Sequence, residues 1–137
     1  GPAGSLRGDE VVDLAGRLDD ARVSGLDRLL RHGAAAAALL TDDALIFESG
    51  HAERSRAEYA SHHAGADAAY AAAVSSRLTR RNGLVDGDTA WVVSESRATG
   101  KYKDKPVDRV TTETMILRKT AEGWRIAHIH WSSRAAT

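Results

Sequence analysis

The chain has 137 residues, of which 42% are apolar, a length and composition that suit a single domain with one core. Its 19 basic and 19 acidic residues cancel, which argues against a nucleic-acid groove or an anionic membrane surface as a partner. The absence of cysteine excludes disulfides, zinc–thiolate sites and thiol catalysis, and no apolar run approaches the roughly 20 residues that span a bilayer.

The first residues are set apart from the predicted domain. There is no initiator methionine, and residues 1–5, Gly-Pro-Ala-Gly-Ser, resemble the remnant of a cleaved purification tag. We therefore predict a tag scar and disordered lead over residues 1–8 and a single domain over residues 9–134. Because such trimming can also cut away a native export signal, the sequence is compatible with a cytoplasmic or an exported protein.

Three helices are predicted in the N-terminal half. Residues 9–31 carry apolar side chains at helical spacing, and an alanine-rich second helix is predicted over residues 34–40. A third helix, extending to about residue 74, is expected to begin after Ser55, because Glu58 three residues further on completes a capping box. Between the second and third helices we predict a short strand, residues 44–48, and a loop, residues 49–54.

The C-terminal half is predicted to be an antiparallel meander. Strands are expected over residues 77–85, 89–102, 107–119 and 124–134, with turn sequences between them. Helices followed by a meander indicate an α+β fold rather than a βαβ arrangement.

The last strand carries two histidines at alternate positions. Simple alternation places Ile126, His128, His130 and Ser132 on one face, and Arg125, Ala127, Ile129 and Trp131 on the other. A strand with two imidazoles on one face is either wetted by solvent or lines a pocket, and we predict the pocket.

The order of these elements resembles the nuclear transport factor 2-like superfamily, which includes SnoaL-like polyketide cyclases and ketosteroid isomerases. Residues 112–117, Thr-Glu-Thr-Met-Ile-Leu, and 124–132, Trp-Arg-Ile-Ala-His-Ile-His-Trp-Ser, are similar to the closing strands of small bacterial members. They are also similar to the end of the association domain of calcium/calmodulin-dependent protein kinase II. The resemblance implies a cone of three N-terminal helices on a curved antiparallel sheet, with a cavity between them. It also implies a homodimer through the outer sheet face, which would suit Trp91 or Trp131.

In that cone, the segment with His51, His62 and His63 faces the strand with His128 and His130 across the cavity mouth. Imidazole is a good ligand for copper and zinc, so the candidate metal ligands are His51, His63, His128 and His130. No known metal signature is present in the sequence. The open alternative is that one pair of histidines is hydrogen-bonded in the core while the others are solvated.

A second interpretation is a pocket for proton transfer. In it His63 or His130 exchanges a proton with a carbonyl-containing substrate, while Tyr59 and a carboxylate orient that substrate. Glu95 and Glu113 lie mid-strand, where a charge is costly unless it is paired or solvated. For Glu113 we favour an ion pair on the outer sheet face. The tyrosine and two aspartates that distinguish ketosteroid isomerases have no clear equivalent in the sequence.

We prefer the interpretation that the protein binds a small molecule in this pocket. The same pocket is also a candidate site for an isomerase or cyclase reaction. Its predicted ligand-binding residues are Tyr59, His63, Trp91, Glu95, His128 and His130, and no cofactor is required. The alternatives are a copper- or zinc-binding protein that uses the same cavity and a non-catalytic assembly domain.

Overall fold

The computed structural model describes residues 10–19 and 37–137, and for residues 62–69 and 71 the backbone alone. In this part of the chain there are two helices, α1 (residues 10–19) and α2 (Arg56–Ala73). The strands are β1 (Leu40–Glu48), β2 (His51–Glu53), β3 (Val74–Asp86), β4 (Thr89–Tyr102), β5 (Lys105–Thr120) and β6 (Gly123–Ala135). Neither described helix is both long and apolar enough to cross a bilayer.

The helix that was predicted to begin after Ser55 is confirmed. The Ser55 side chain accepts a hydrogen bond of 3.0 Å from the backbone N–H of Glu58, which caps the first turn of α2. The described residues do not confirm three helices. Residues 20–36 lie outside the described part, residues 37–38 are helical, and Leu40 already belongs to β1. The predicted lead, residues 1–8, also lies outside it.

The segment predicted as a loop contains a strand. Ser49 and Gly50 have positive φ angles of 51° and 83°, as in the two-residue turns that join antiparallel strands. β2 therefore folds back on β1, and β1 itself is longer than the predicted residues 44–48. The predicted bounds of β4 are confirmed, and β3, β5 and β6 each extend beyond their predicted ranges.

The strands form one curved sheet in the order β2-β1-β6-β5-β4-β3. All neighbours are antiparallel except β1 and β6, which are parallel. The inner face of this sheet packs against both helices. The buried core comes from α1 (Val11, Leu14 and Leu18), α2 (Tyr59) and the sheet (Ile46, Val92, Met115, Leu117 and Ile129).

One extra residue in β6 shifts the alternation of its side chains. Leu117 of β5 pairs with Ile126, and Ile116 pairs with His128, so Ala127 has no partner on β5. A bulge of this kind places an additional residue in one strand and bends it. Two residues on opposite sides of the bulge therefore share a face when they are three positions apart.

The bulge brings both apolar halves of β6 to the inner face. Trp124 before it, and Ile129 and Trp131 after it, are all buried. His128 and His130 alternate with the last two residues and consequently lie on the outer face. The prediction that both imidazoles face the cavity is wrong, because it carried one alternation through the whole strand.

Candidate ligand-binding cavity

A cavity of about 580 Å³ lies between the inner sheet face and the two helices. This volume is within the range of roughly 300–1,000 Å³ that is typical of small-molecule sites. Its wall combines charged side chains (Asp19, Glu48, Arg81, Arg109 and Glu113), serine hydroxyls (Ser76, Ser94 and Ser96) and apolar side chains (Tyr70, Leu78 and Trp131).

Two of the charged side chains, Arg81 and Glu113, belong to one row that crosses four strands. Arg81 of β3 pairs with Ser94 of β4, Ser94 with Glu113 of β5, and Glu113 with Trp131 of β6. We call these four residues the polar row. Because their register positions are adjacent, the sheet itself aligns the side chains on its inner face.

Hydrogen bonds and ion pairs connect the polar row. Arg81 donates from Nε to the Ser94 hydroxyl at 2.7 Å, and its Nη2 lies 3.6 Å from Oε1 of Glu113. The same guanidinium forms an ion pair with Asp19 of α1. Trp131 donates from Nε1 to Oε2 of Glu113 at 2.8 Å. One cation thus lies between two carboxylates, and one of these carboxylates is also held by an indole N–H.

The charges in this cluster are largely shielded from water. The side chains of Arg81 and Glu113 are only 12% and 11% exposed, and that of Asp19 is 28% exposed. Removing an ion from water costs several kcal/mol, on the order of what its partner restores, so such a cluster persists only when its geometry is good. The Ser94 and Trp131 contacts supply that geometry.

Beyond the polar row, the cavity wall becomes apolar. Leu78, on the inner face of β3, is 49% exposed, and Tyr70 of α2 is 37% exposed, although both line the cavity. Ser76 and Ser96 line the same region, and their hydroxyl groups form no hydrogen bond with the described residues. The cavity therefore presents apolar surface and unoccupied hydroxyl groups next to a charged end.

The two mid-strand glutamates have exchanged roles relative to the prediction. Glu113 was assigned to an outer-face ion pair, but it lies on the inner face and contacts Arg81. Glu95, predicted to bind ligand, is exposed on the outer face opposite Arg80 and Thr112. The alternation could have revealed this, since Glu113 shares its strand face with the buried Met115 and Leu117.

The structure disperses the other predicted site residues. Tyr59 is buried in the core with its ring centroid 6.4 Å from that of Trp131. Trp91 lies on the outer face. His128 donates from Nδ1 to the carbonyl oxygen of Leu45 at 2.7 Å, again on the outer face.

No metal-binding cluster is formed by the described side chains, in which groups of three or more His, Asp or Glu at ligating distance are absent. His51 is exposed in β2, and His128 and His130 have ring centroids 6.4 Å apart on the outer face. The side chain of His63 lies outside the described part. The copper or zinc site therefore stays a prediction.

Asp19, Arg81 and Ser94 are the site residues that the sequence did not reveal. The register shift between Leu78 and Arg80 places Arg81 opposite Ser94 on the inner face. A shift that depends on strand pairing leaves no local sequence pattern.

A single curved sheet covered by helices, with a polar cavity between them, defines the nuclear transport factor 2-like class. The family profile for the SnoaL-like domain matches residues 30–136, and the chain belongs to that family. No curated protein sequence gives a significant match.

Solved structures show the same fold. A candidate ketosteroid isomerase from Shewanella frigidimarina NCIMB 400 is 34% identical, with a TM-score of 0.77 over 88% of this chain and 92% of that chain. The association domain of Caenorhabditis elegans CaMKII is 15% identical, with a TM-score of 0.72 over 96% and 99%. An NTF2-like superfamily protein from Salmonella enterica serovar Typhimurium LT2 is 18% identical, with a TM-score of 0.71 over 97% and 94%. The last two establish the fold alone.

Proposed function

We propose that this protein binds a small organic molecule in the cavity, with the polar row at the charged end of the site. The observation that carries this proposal is the alignment of Arg81, Ser94, Glu113 and Trp131 along the cavity wall. A buried ion pair is weak as a source of stability, and apolar residues of similar volume often serve equally well. A few placed polar groups in an otherwise apolar cavity are, by contrast, typical of ligand sites.

A carbonyl-containing ligand fits the remaining wall. The hydroxyls of Ser76 and Ser96 are available as donors to a carbonyl oxygen, and Leu78 and Tyr70 offer apolar surface to the body of the ligand. If the site is catalytic, Glu113 is the group placed to remove a proton next to that carbonyl and return it to another carbon. The 34% identity to a candidate ketosteroid isomerase supports this chemistry. His63 stays a candidate for a second proton-transfer group, whereas His130 is on the wrong face.

A thermal-shift panel of aryl and alicyclic ketones that carry neutral, cationic or anionic substituents tests the binding proposal. A ligand present at 100 times its Kd stabilises the folded form by about 2.7 kcal/mol. We expect Glu113→Gln to weaken binding about tenfold, since the amide oxygen still accepts from Trp131 while the charge beside Arg81 is lost. Glu95→Gln, the matched change on the outer face, should leave binding unchanged. A panel without a single stabilising compound contradicts the proposal, as does an equal effect of the two substitutions.

We also propose a homodimer through the outer face of the sheet. Two adjacent rows of that face cross five strands: Leu84, Trp91, Ile116, His128 and Leu45, and beside them Asn82, Val93, Thr114, His130 and Phe47. Leu84 is 52% exposed, and Leu45, Phe47 and Trp91 each expose more than a third of their surface. A contiguous apolar patch of this kind marks an association surface. Trp131, the other tryptophan considered for this face, is on the inner one.

Phe47→Glu is expected to convert the dimer to a monomer, because it would place an unpaired charge in the patch that the dimer buries. The molar mass in solution, measured by light scattering during size exclusion, checks this. Ala72→Glu adds the same charge on an exposed position of α2 and should leave the dimer intact. A wild-type monomer at all accessible concentrations would refute the proposal. A dimer without any cavity ligand would instead favour the assembly-domain alternative.

A further inference from the structure

A second cationic group lies in the cavity at a distance from the polar row. Arg109 is on the same face of β5 as Glu113, four residues away, and it lines the cavity. Its register partner on β4 is the buried Ala98. Nε of Arg109 donates to the Ser133 hydroxyl at 3.0 Å, which leaves its two terminal nitrogens available to a ligand.

Arg109 differs from Arg81 because no carboxylate of the described residues forms an ion pair with it. Its neighbour Asp108 points to the outer face, where both of its carboxylate oxygens accept from Arg97, at 2.6 and 2.8 Å. These hydrogen bonds hold the pKa of Asp108 below its ordinary value of 3.8. The nearest acid in the sequence is therefore already neutralised by another arginine, and the charge of Arg109 remains uncompensated within the described part of the cavity.

We propose that Arg109 makes the cavity selective for a small organic carboxylate, which it holds through its terminal nitrogens. This inference rests on the proposed binding function and specifies the class of ligand. An arginine guanidinium binds a carboxylate through parallel, charge-assisted hydrogen bonds that are stronger than neutral ones. Glu113 at the other end of the site repels an anion, so the ligand carboxylate has one favourable end of the cavity.

The spacing of the inner-face rows defines the shape of this ligand. Arg109 and Glu113 are four residues apart, which corresponds to about 13 Å along a strand. Between their rows lies a third, formed by Leu78, Ser96, Thr111 and Ser133. An elongated molecule therefore places its carboxylate at Arg109, its apolar body along Leu78, and its carbonyl at the Ser96 hydroxyl, next to the polar row.

The experiment uses two probes of the same shape, 5-oxo-5-phenylpentanoate and its uncharged primary amide. Calorimetric titration of the wild-type protein is expected to show about tenfold tighter binding of the carboxylate, a difference of 1.4 kcal/mol. Arg109→Gln should remove this preference by weakening carboxylate binding about tenfold while amide binding changes less than about twofold. Arg109→Lys keeps the charge but lacks the paired N–H donors of the guanidinium, so it should recover part of the loss.

Arg134→Gln is the matched control, since Arg134 lies on the outer face opposite Val110 and is exposed. It removes the same charge and should leave both affinities unchanged. Circular dichroism and the thermal midpoint confirm that each variant is folded. Equal binding of the two probes by the wild-type protein overturns the inference, and so does an equal loss of both probes in Arg109→Gln. Either result leaves the binding function in place if the ketone panel has yielded neutral or cationic ligands. A panel with no ligand at all removes the binding function itself.

Discussion

Replacing Arg81 by methionine is expected to lower the free energy of unfolding by about 3–5 kcal/mol. Methionine retains most of the side-chain volume but removes the only cation that contacts both Asp19 and Glu113 in the described structure. The two carboxylates would then be left close together in a region with little access to water. Urea denaturation followed by circular dichroism measures the loss. Adding Glu113→Gln to this variant should recover part of it, because the repulsion between the two carboxylates is then absent.

Arg97→Met is the matched control for this prediction. Arg97 also connects neighbouring strands to a carboxylate, that of Asp108, but it does so on the exposed outer face. We expect its loss of stability to be a small fraction of that of Arg81→Met, since exposed ion pairs contribute little. In the same variant the pKa of Asp108 should rise toward 3.8, which NMR titration detects. Equal destabilisation by the two substitutions would show that the polar row is not shielded from solvent.

The Arg97–Asp108 pair also has a defined pH dependence. The hydrogen bond from Arg97, with a smaller charge interaction, lowers the folded-state pKa of Asp108. The resulting stabilisation is complete at pH values above the unfolded pKa of 3.8. It is lost as the pH falls through the lower, folded value.

Ile129→Ala and His130→Ala are expected to differ sharply, although the residues are adjacent in β6. Ile129 is fully buried in the core opposite Met115, so removing three carbons should cost about 2–5 kcal/mol. His130 is exposed on the outer face, where its ring centroid lies 6.0 Å from that of Phe47. Its replacement should change the stability of the monomer by less than about 0.5 kcal/mol, as is usual for positions that are exposed in the single chain.

The affinity for a cavity ligand is a second measurement that tests the placement of His130. His130→Ala should bind a ligand of the wild-type cavity with unchanged affinity, since the ring lies on the opposite side of the sheet from the cavity. A large loss of affinity in His130→Ala, with stability preserved, would contradict the placement of this strand and restore the histidine-lined pocket. Stability and binding together therefore show whether the histidines of β6 lie on the outer or the inner face of the sheet.

The two faces of the sheet serve different purposes under these proposals. Arg81, Glu113 and Arg109 are directed into the cavity, whereas Phe47 and Trp91 are directed outward. Substitutions on one face should accordingly change ligand binding without changing the dimer, and those on the other should do the reverse. Such separation would not be expected of a site formed between subunits.

The sequence by itself determined the features that depend on neighbouring residues. The cap at Ser55, the bounds of β4 and the C-terminal meander of strands follow from side-chain spacing and turn chemistry, which act over a few residues. The closing strands were sufficient to indicate the fold family. Even the shift of alternation in β6 is visible in the sequence, because its large apolar residues occur at 124 and 126 and then at 129 and 131.

Only the tertiary structure decided which side chains meet in the cavity. The polar row joins residues 81, 94, 113 and 131, and it exists because the register of three strand pairs aligns them. Ala127 and the shift between Leu78 and Arg80 each add a residue to one strand, and each inverts the faces of the residues that follow. Since side chains on a strand alternate with a period of two, one unpaired residue moves a whole set of them across the sheet. The two histidines of β6 lie outside the site, and Arg81 lies inside it, for this same reason, whereas Glu113 follows the regular alternation of β5.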